Sequence, residues 1–335
     1  MNRILENVTF GLTSVLNAFR EERPDLLIIE TWPLIAVQML ILAARVWRVP
    51  CVYYVQDVYP EAAEELGFIR KGGLVANVLR MWDAHLCRRS SKIVAISESM
   101  RDLICARGID SDRVAIIPNW IDADRFPLRP RCNEWRRQIG IPETTFVAMF
   151  TGTLGFVSGA DILTEVAERL KGRPDILLLC VGEGALKLRM VDQASRRGLV
   201  NLRFEPFQPR KVLADMHGAA DVLLLTMRNN ESDSSVPSKL IGYLAAGRPV
   251  ICSANRKSSI AQIVDRAQAG IVTSPDDPKA IAEAILRLLN DRVRAEQMGR
   301  NARRHFEAHF TFDRAFGQFA ELLQELCLQF RTKLP

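Results

Sequence analysis

Residues 234–272 read SSVPSKLIGYLAAGRPVICSANRKSSIAQIVDRAQAGIV, and this stretch decides the fold. It opens on the turn Val236-Pro237-Ser238, where Pro237 presets φ and has no N–H to donate. An apolar helix follows from Lys239 to Ala246 and stops at Gly247, a residue type that tolerates the left-handed conformation past a helix end. Pro249-Val250-Ile251-Cys252 then reads as a short buried strand. A polar loop therefore feeds a helix N-terminus that carries Ser238 and Lys239. Free N–H groups, a helix dipole and a cation at one point make a site for an anion.

The same alternation runs outward through the chain. Short apolar runs lie at 26–29, 51–55, 93–96 and 114–117, then at 146–150, 176–181, 202–204, 222–225, 249–252 and 270–272. Amphipathic segments such as 161–170, 187–197 and 211–217 separate them. Buried strands alternating with helices predict an α/β fold, with parallel sheets covered by helices on both faces. The pattern breaks across 125–143, where Pro127, Pro130 and Pro142 sit among five arginines. We read a linker there, a first domain over 1–128, a second over 129–310 and a terminal helix over 311–335.

Composition bounds the function. A chain of 335 residues suits two domains, and 48% apolar with 25% charged residues is an ordinary globular balance. Seven scattered cysteines without a CxxC spacing read as reduced, buried thiols of a cytosolic protein. The start MNRILENVTFGL has neither the apolar core nor the cleavage site of a signal peptide, and the apolar run 32–44 is shorter than the roughly 20 residues of a membrane span. These features predict a cytoplasmic protein. A net charge of +6 and a pI near 9.0 fit an anionic partner. The arginines are dispersed and no aromatic-basic platform exists, which argues against nucleic acid. None of the four histidines has zinc-site spacing, and neither a nucleophile elbow nor a Walker lysine loop is present.

Other stretches carry chemistry. Phe150-Thr151-Gly152-Thr153-Leu154-Gly155 and Cys180-Val181-Gly182-Glu183-Gly184-Ala185 are glycine turns at strand ends, where open α/β sheets bind ligands. A tight strand-to-helix turn explains either equally well. Asp57 and Glu61, in Gln56-Asp57-Val58-Tyr59-Pro60-Glu61, follow another strand and suit acceptor binding or proton transfer; Asp57 would equally serve as a helix cap. Residues 69–92, IRKGGLVANVLRMWDAHLCRRSSK, form a basic amphipathic segment. It fits an anionic membrane surface, or a core-facing helix with a solvated basic face.

Residues 236–250 resemble the nucleotide-sugar segment of the family 4 glycosyltransferases, which have the GT-B fold of two Rossmann-like domains. The pattern is similar to V-P-S-K-x-x-E-Y-x-A-A-G-x-P-V of a bacterial surface-polysaccharide branch, the L-fucosamine and colanic-acid transferase type. Gln56–Glu61, Ser97–Arg101 and Ile117–Asp122 also match, and the resemblance covers about Pro24 to Leu323. It implies transfer, with retention, of a sugar from a nucleotide diphosphate sugar to a glycan or polyprenyl-linked acceptor, without a metal, and it allows a peripheral place at the inner membrane face. Gly152, Thr153, Gly155, Gly182, Glu183 and Gly184 would line the donor crevice and Phe207 the nucleobase. Val236, Pro237, Ser238, Lys239 and Leu240 would hold the diphosphate, with Lys239 stabilising the leaving group and Asp57 and Glu61 serving the acceptor. The chain departs from the pattern at Gly242, where a ribose-binding carboxylate is expected, and at Thr153 and Ser158, where many members place basic residues. The resemblance also implies a strand and glycine loop upstream of Met1. A catalytically impaired nucleotide-sugar-binding remnant, or half of a split protein, is the rival reading.

Overall fold

The computed structural model describes residues 2–65, 67–228 and 238–331. Each of the ten apolar runs becomes a strand, displaced by no more than one residue at either end. The described chain divides into two compact units, residues 2–118 with 315–331, and residues 119–228 with 238–314.

In the first unit β1 (Leu27–Glu30), β2 (Cys51–Val55), β3 (Lys92–Ala95) and β4 (Val114–Ile116) form a parallel sheet in that order. Ile29, Tyr53, Ile93 and Val114 share one row of the register. All five residues of β2 are buried, as continuous apolar composition requires of an inner parallel strand. Helix Phe312–Arg331 enters this unit at Ala315, and Phe319 sets its ring edge-on to Tyr54 at 5.4 Å between centroids. The buried Tyr53 hydroxyl donates to Asp83 at 3.1 Å. Asp83 also accepts from Arg107, which bridges to Glu61. Arg80 completes the cluster, at 3.0 Å from Glu61 and 3.3 Å from Glu64. Burial pushes the Asp83 carboxyl up to about 6 against the pull of Arg107.

The second unit holds β5 (Phe146–Thr151), β6 (Ile176–Val181), β7 (Leu202–Glu205), β8 (Val222–Thr226), β9 (Val250–Ser253) and β10 (Gly270–Thr273). Their order is β10-β9-β8-β5-β6-β7, all parallel. The chain leaves β5 towards β6 on one side and later returns to β8 on the other. That reversal opens a crevice at the C-terminal ends of the strands. Helix starts are capped as the sequence allows: Asn133 accepts from Arg136 N–H, Ser258 from Ala261 N–H, and Asp277 from Ala280 N–H just before Pro278.

The arginine-rich segment after Pro130 is latched to this sheet through one carboxylate. Asp221 is buried and accepts from the Val147 N–H at 2.8 Å. Arg292 lies at 2.7 Å, Arg131 at 3.4 Å and the fully buried Arg136 at 3.5 Å. Arg136 also donates to the carbonyls of Ala219 and Pro142.

Four thiols are buried, those of Cys51, Cys87, Cys180 and Cys252. Burial pushes the Cys51, Cys180 and Cys252 thiols up to about 12 and that of Cys87 further still.

Removing the hub of the latch tests it. Asp221→Ala leaves Arg136 buried without its carboxylate and is expected to cost about 3–5 kcal/mol of unfolding free energy. Urea denaturation measures this, and a loss under about 1 kcal/mol, the value of an exposed pair, would show that the arginines do not depend on Asp221.

Candidate active site

The site is built at the end of β5. Thr151 is buried; its N–H donates to the Tyr243 hydroxyl at 3.0 Å, and its own hydroxyl lies 3.1 Å from His217 Nε2. The chain then turns through Gly152, whose N–H donates to the Val181 carbonyl. The turn after β6 is pressed against it. A Cβ on Gly182 would lie 1.9 Å from the Gly152 carbonyl oxygen, and one on Gly184 would lie 2.3 Å from that of Leu154. Both glycines have positive φ, 154° and 156°. Close backbone contact therefore accounts for Gly182 and Gly184 on its own. Glu183 turns its carboxylate to Lys187 at 2.6 Å.

Lys239 begins the helix Lys239–Ala245, and its ammonium lies 4.2 Å from the Phe150 ring centroid. A Cβ on Gly152 would stand 3.5 Å from the same nitrogen. Among the described residues no carboxylate pairs with this cation and no acceptor bonds to it. Burial pulls it down to about 8. An unpaired ammonium removed from water is costly, and the Phe150 face compensates only partly. The environment is that of a cation waiting for an anion. A cavity of about 280 Å³ opens beside it, walled by Phe156, Val157, Leu225 and Met227 as well as Thr153.

The other expected residues take varied places. Gly155 lies in the cavity wall, but its N–H donates to Ser158 Oγ at 3.2 Å. Thr153 is exposed beside it. Ser238 is exposed at the helix start, and its side chain makes no capping hydrogen bond. Leu240 is buried, which leaves only its main chain for a ligand. Phe207 is 55% exposed just past β7. Val236 and Pro237 lie outside the described residues. Gly242 is buried, and a Cβ there would meet His217 Cε1 at 3.4 Å. His217 is itself buried between Thr151, Phe126 and Tyr243, and burial draws it down to about 4. The sequence reading missed this imidazole and the aromatic seat of Lys239. Phe150 stands directly before the glycine turn, which was the available signal for the second.

In the first unit, Asp57 lies past the end of β2, half-buried, and burial raises its carboxyl above the usual range. Among the described residues no basic side chain pairs with it. Glu61 has the opposite character, held by Arg80 and Arg107. Among the described residues no group of three or more His, Cys, Asp or Glu is gathered for a metal ion. None of the described helices is long and apolar enough to cross a membrane.

Residues 132–305 match the family model of the glycosyl transferases group 1, and residues 2–125 match that of glycosyltransferase family 4. The chain belongs to the group 1 glycosyl transferases. Over 296 residues this glycosyltransferase is 26% identical to the Escherichia coli K12 protein named for colanic acid biosynthesis, glycosyl transferase WcaI, covering 86% of this chain and 72% of that one. It is 26% identical over 298 residues to the Pseudomonas aeruginosa protein WbjE, also named as a glycosyltransferase, covering 85% of this chain and 72% of that one. The structure of Anabaena HepE in complex with UDP superposes with a TM-score of 0.77 at 19% identity, covering 94% of this chain and 82% of HepE. The two parallel-sheet domains of this glycosyltransferase are those of the GT-B fold.

The lowered Lys239 sets a pH dependence for any anion bound there. The free protein holds the ammonium below pH 8 and loses it above, whereas a bound anion raises the value. Affinity for an anion whose own charge is constant over the range is therefore expected to be flat well below pH 8 and to fall above it, by up to about tenfold per pH unit. Titrations across pH check this, and Lys239→Ala is expected to abolish the slope.

Proposed function

We propose that this glycosyltransferase moves a sugar from a nucleotide diphosphate sugar to a glycan or polyprenyl-linked acceptor, with retention of anomeric configuration, in the assembly of a bacterial surface polysaccharide. The observation that carries this reading is the ammonium of Lys239, without an ionic partner among the described residues, at the strand ends where the sheet order reverses. HepE, which shares the fold, is described in complex with UDP and with UDP-glucose, and WcaI is named for colanic acid biosynthesis.

In this mechanism negative charge develops on the departing diphosphate, and a fixed cation placed there lowers the barrier. Lys239 fills that role, helped by the main-chain amides of Ser238 and Leu240 at the helix start. Thr153 and the glycine turns bound the crevice, and Phe207 offers a ring for the base. The diphosphate charge is met by these groups rather than by a metal ion. Asp57, whose carboxylate has no basic partner among the described residues, is assigned to the acceptor hydroxyl. A polyprenyl-linked acceptor would place this chemistry at the inner face of the membrane.

Calorimetric titration with UDP and GDP tests the reading. One of them is expected to bind at micromolar Kd, and Lys239→Ala is expected to weaken it at least tenfold, the order of a lost charge-assisted contact. A folded protein that binds neither nucleotide, or a variant that binds as well as the parent, overturns it.

A further inference from the structure

Two adjoining grooves open at the N-terminal ends of the strands in the first unit, the edge opposite the one that carries Asp57. They measure about 320 and 370 Å³ and share Arg48, Val49 and Phe330, a size that suits a small ligand. Arg23, Arg45, Arg48 and Arg89 line them, and Asp25 is the one carboxylate in either wall. Ile41, Val49 and Cys51, all buried, supply the apolar part of the lining.

The arginines come from three places in the chain. Arg45 and Arg48 close helix Leu34–Trp47, Arg89 closes helix Leu74–Arg89, and Arg23 donates to the Arg48 carbonyl at 3.4 Å. Among the described residues no carboxylate pairs with any of the four. Burial, and then the charges of Arg89, Arg88 and Arg45, hold the His85 imidazole below its usual range, so one positive field spans both helix ends. Cations at helix C-termini ordinarily answer the helix dipole, but each of the two ends supplies only roughly half a negative charge. Four guanidiniums exceed those two ends and Asp25 together. Like charges gathered without counter-charge raise one another's energy, and a bound oligoanion removes that cost.

Arg48 supplies a second observation. Its φ is 53° and its ψ 49°, the left-handed conformation past a helix end where glycine is usual. A side chain is at a disadvantage there, yet this one is kept, at the junction of the two grooves.

We infer that the two grooves bind a soluble oligophosphate, inorganic or carried on a nucleoside, with Arg23, Arg45, Arg48 and Arg89 meeting its phosphate oxygens. Guanidinium forks match phosphate geometry, and only a ligand with several charges answers arginines spread over two grooves. Phe330 offers a ring to any flat group that the phosphates carry. The site lies in the first unit and Lys239 in the second, so the inference needs nothing from the donor reading.

Calorimetric titration of the full chain with tripolyphosphate tests it. One site of micromolar Kd is expected, weaker as salt rises. R45Q/R89Q is expected to weaken it at least tenfold, the order of a lost charge-assisted contact. Arg48→Gly is expected to weaken it as well while raising the melting temperature, because glycine suits the left-handed position; a merely structural Arg48 would not separate the two. Lys239→Ala is expected to leave tripolyphosphate binding unchanged, so this site and the donor site fail separately. ATP in place of tripolyphosphate distinguishes the carriers: tighter binding assigns the site to a nucleoside polyphosphate, and equal binding to the phosphate chain alone. No binding of either compound overturns the inference, as does binding unchanged in both arginine variants or lost in Lys239→Ala. Displacement of tripolyphosphate by phosphatidylglycerol vesicles also overturns it, since the grooves would then be a headgroup site.

Discussion

The contact on which the second unit depends has no side chain in it. The carbonyls of Gly152 and Leu154 occupy the space where Cβ atoms of residues 182 and 184 would be. Neighbouring strands lie about 4.8 Å apart, and loops at their ends ordinarily diverge. Here they are held together by backbone packing and by the hydrogen bond from Leu154 N–H to the Glu183 carbonyl. The C-terminal edge of the sheet is thereby kept low and firm. Phe150 ends up close beneath Lys239, and the cavity next to it keeps defined walls.

Charged groups in the two units show how an ion that holds the fold differs from one that serves chemistry. Glu61, Glu64 and Asp83 are matched against Arg80 and Arg107, and Asp221 is matched against arginines and a backbone N–H. Each group answers another and holds chain segments in place. Lys239 and Asp57 are different. Both are partly withdrawn from water, both are shifted in the direction that disfavours their charge, and among the described residues neither has an opposite charge beside it. Unmatched groups of this kind cluster at functional sites because the missing partner is the substrate. Glu61 looked like Asp57 in the sequence, four residues away. Arg107, 46 residues further on, is what separates them.

The strands were legible because inner parallel strands are continuous apolar runs, and the runs at Cys51–Val55 and Ile176–Val181 needed no correction at either end. The helix start at Lys239 was legible because Ser238 and Lys239 stand between a polar loop and an apolar run. Other features depend on partners far along the chain. The glycines at 182 and 184 fit a ligand crevice or a tight turn equally well in the sequence, and the opposing carbonyls at 152 and 154 supply a packing reason for them. His217 gave no signal, since its neighbours Thr151, Phe126 and Tyr243 are scattered through the chain. The amphipathicity of residues 69–92 was plain, but periodicity does not say which stripe faces water. The core selected the stripe containing Asp83, because Tyr53 and Arg107 wait there to bond it.

The buried thiols make the chain its own reporter of cooperativity. Cys51 and Cys87 lie in the first unit, Cys180 and Cys252 in the second. Each is shielded from reagents and held almost wholly as unreactive thiol, so alkylation at any of them requires local or global opening. The rate at which each is trapped is therefore a clock for the unit it sits in. Two clocks per unit distinguish a breathing strand, which exposes one, from dissolution of a whole sheet, which exposes both.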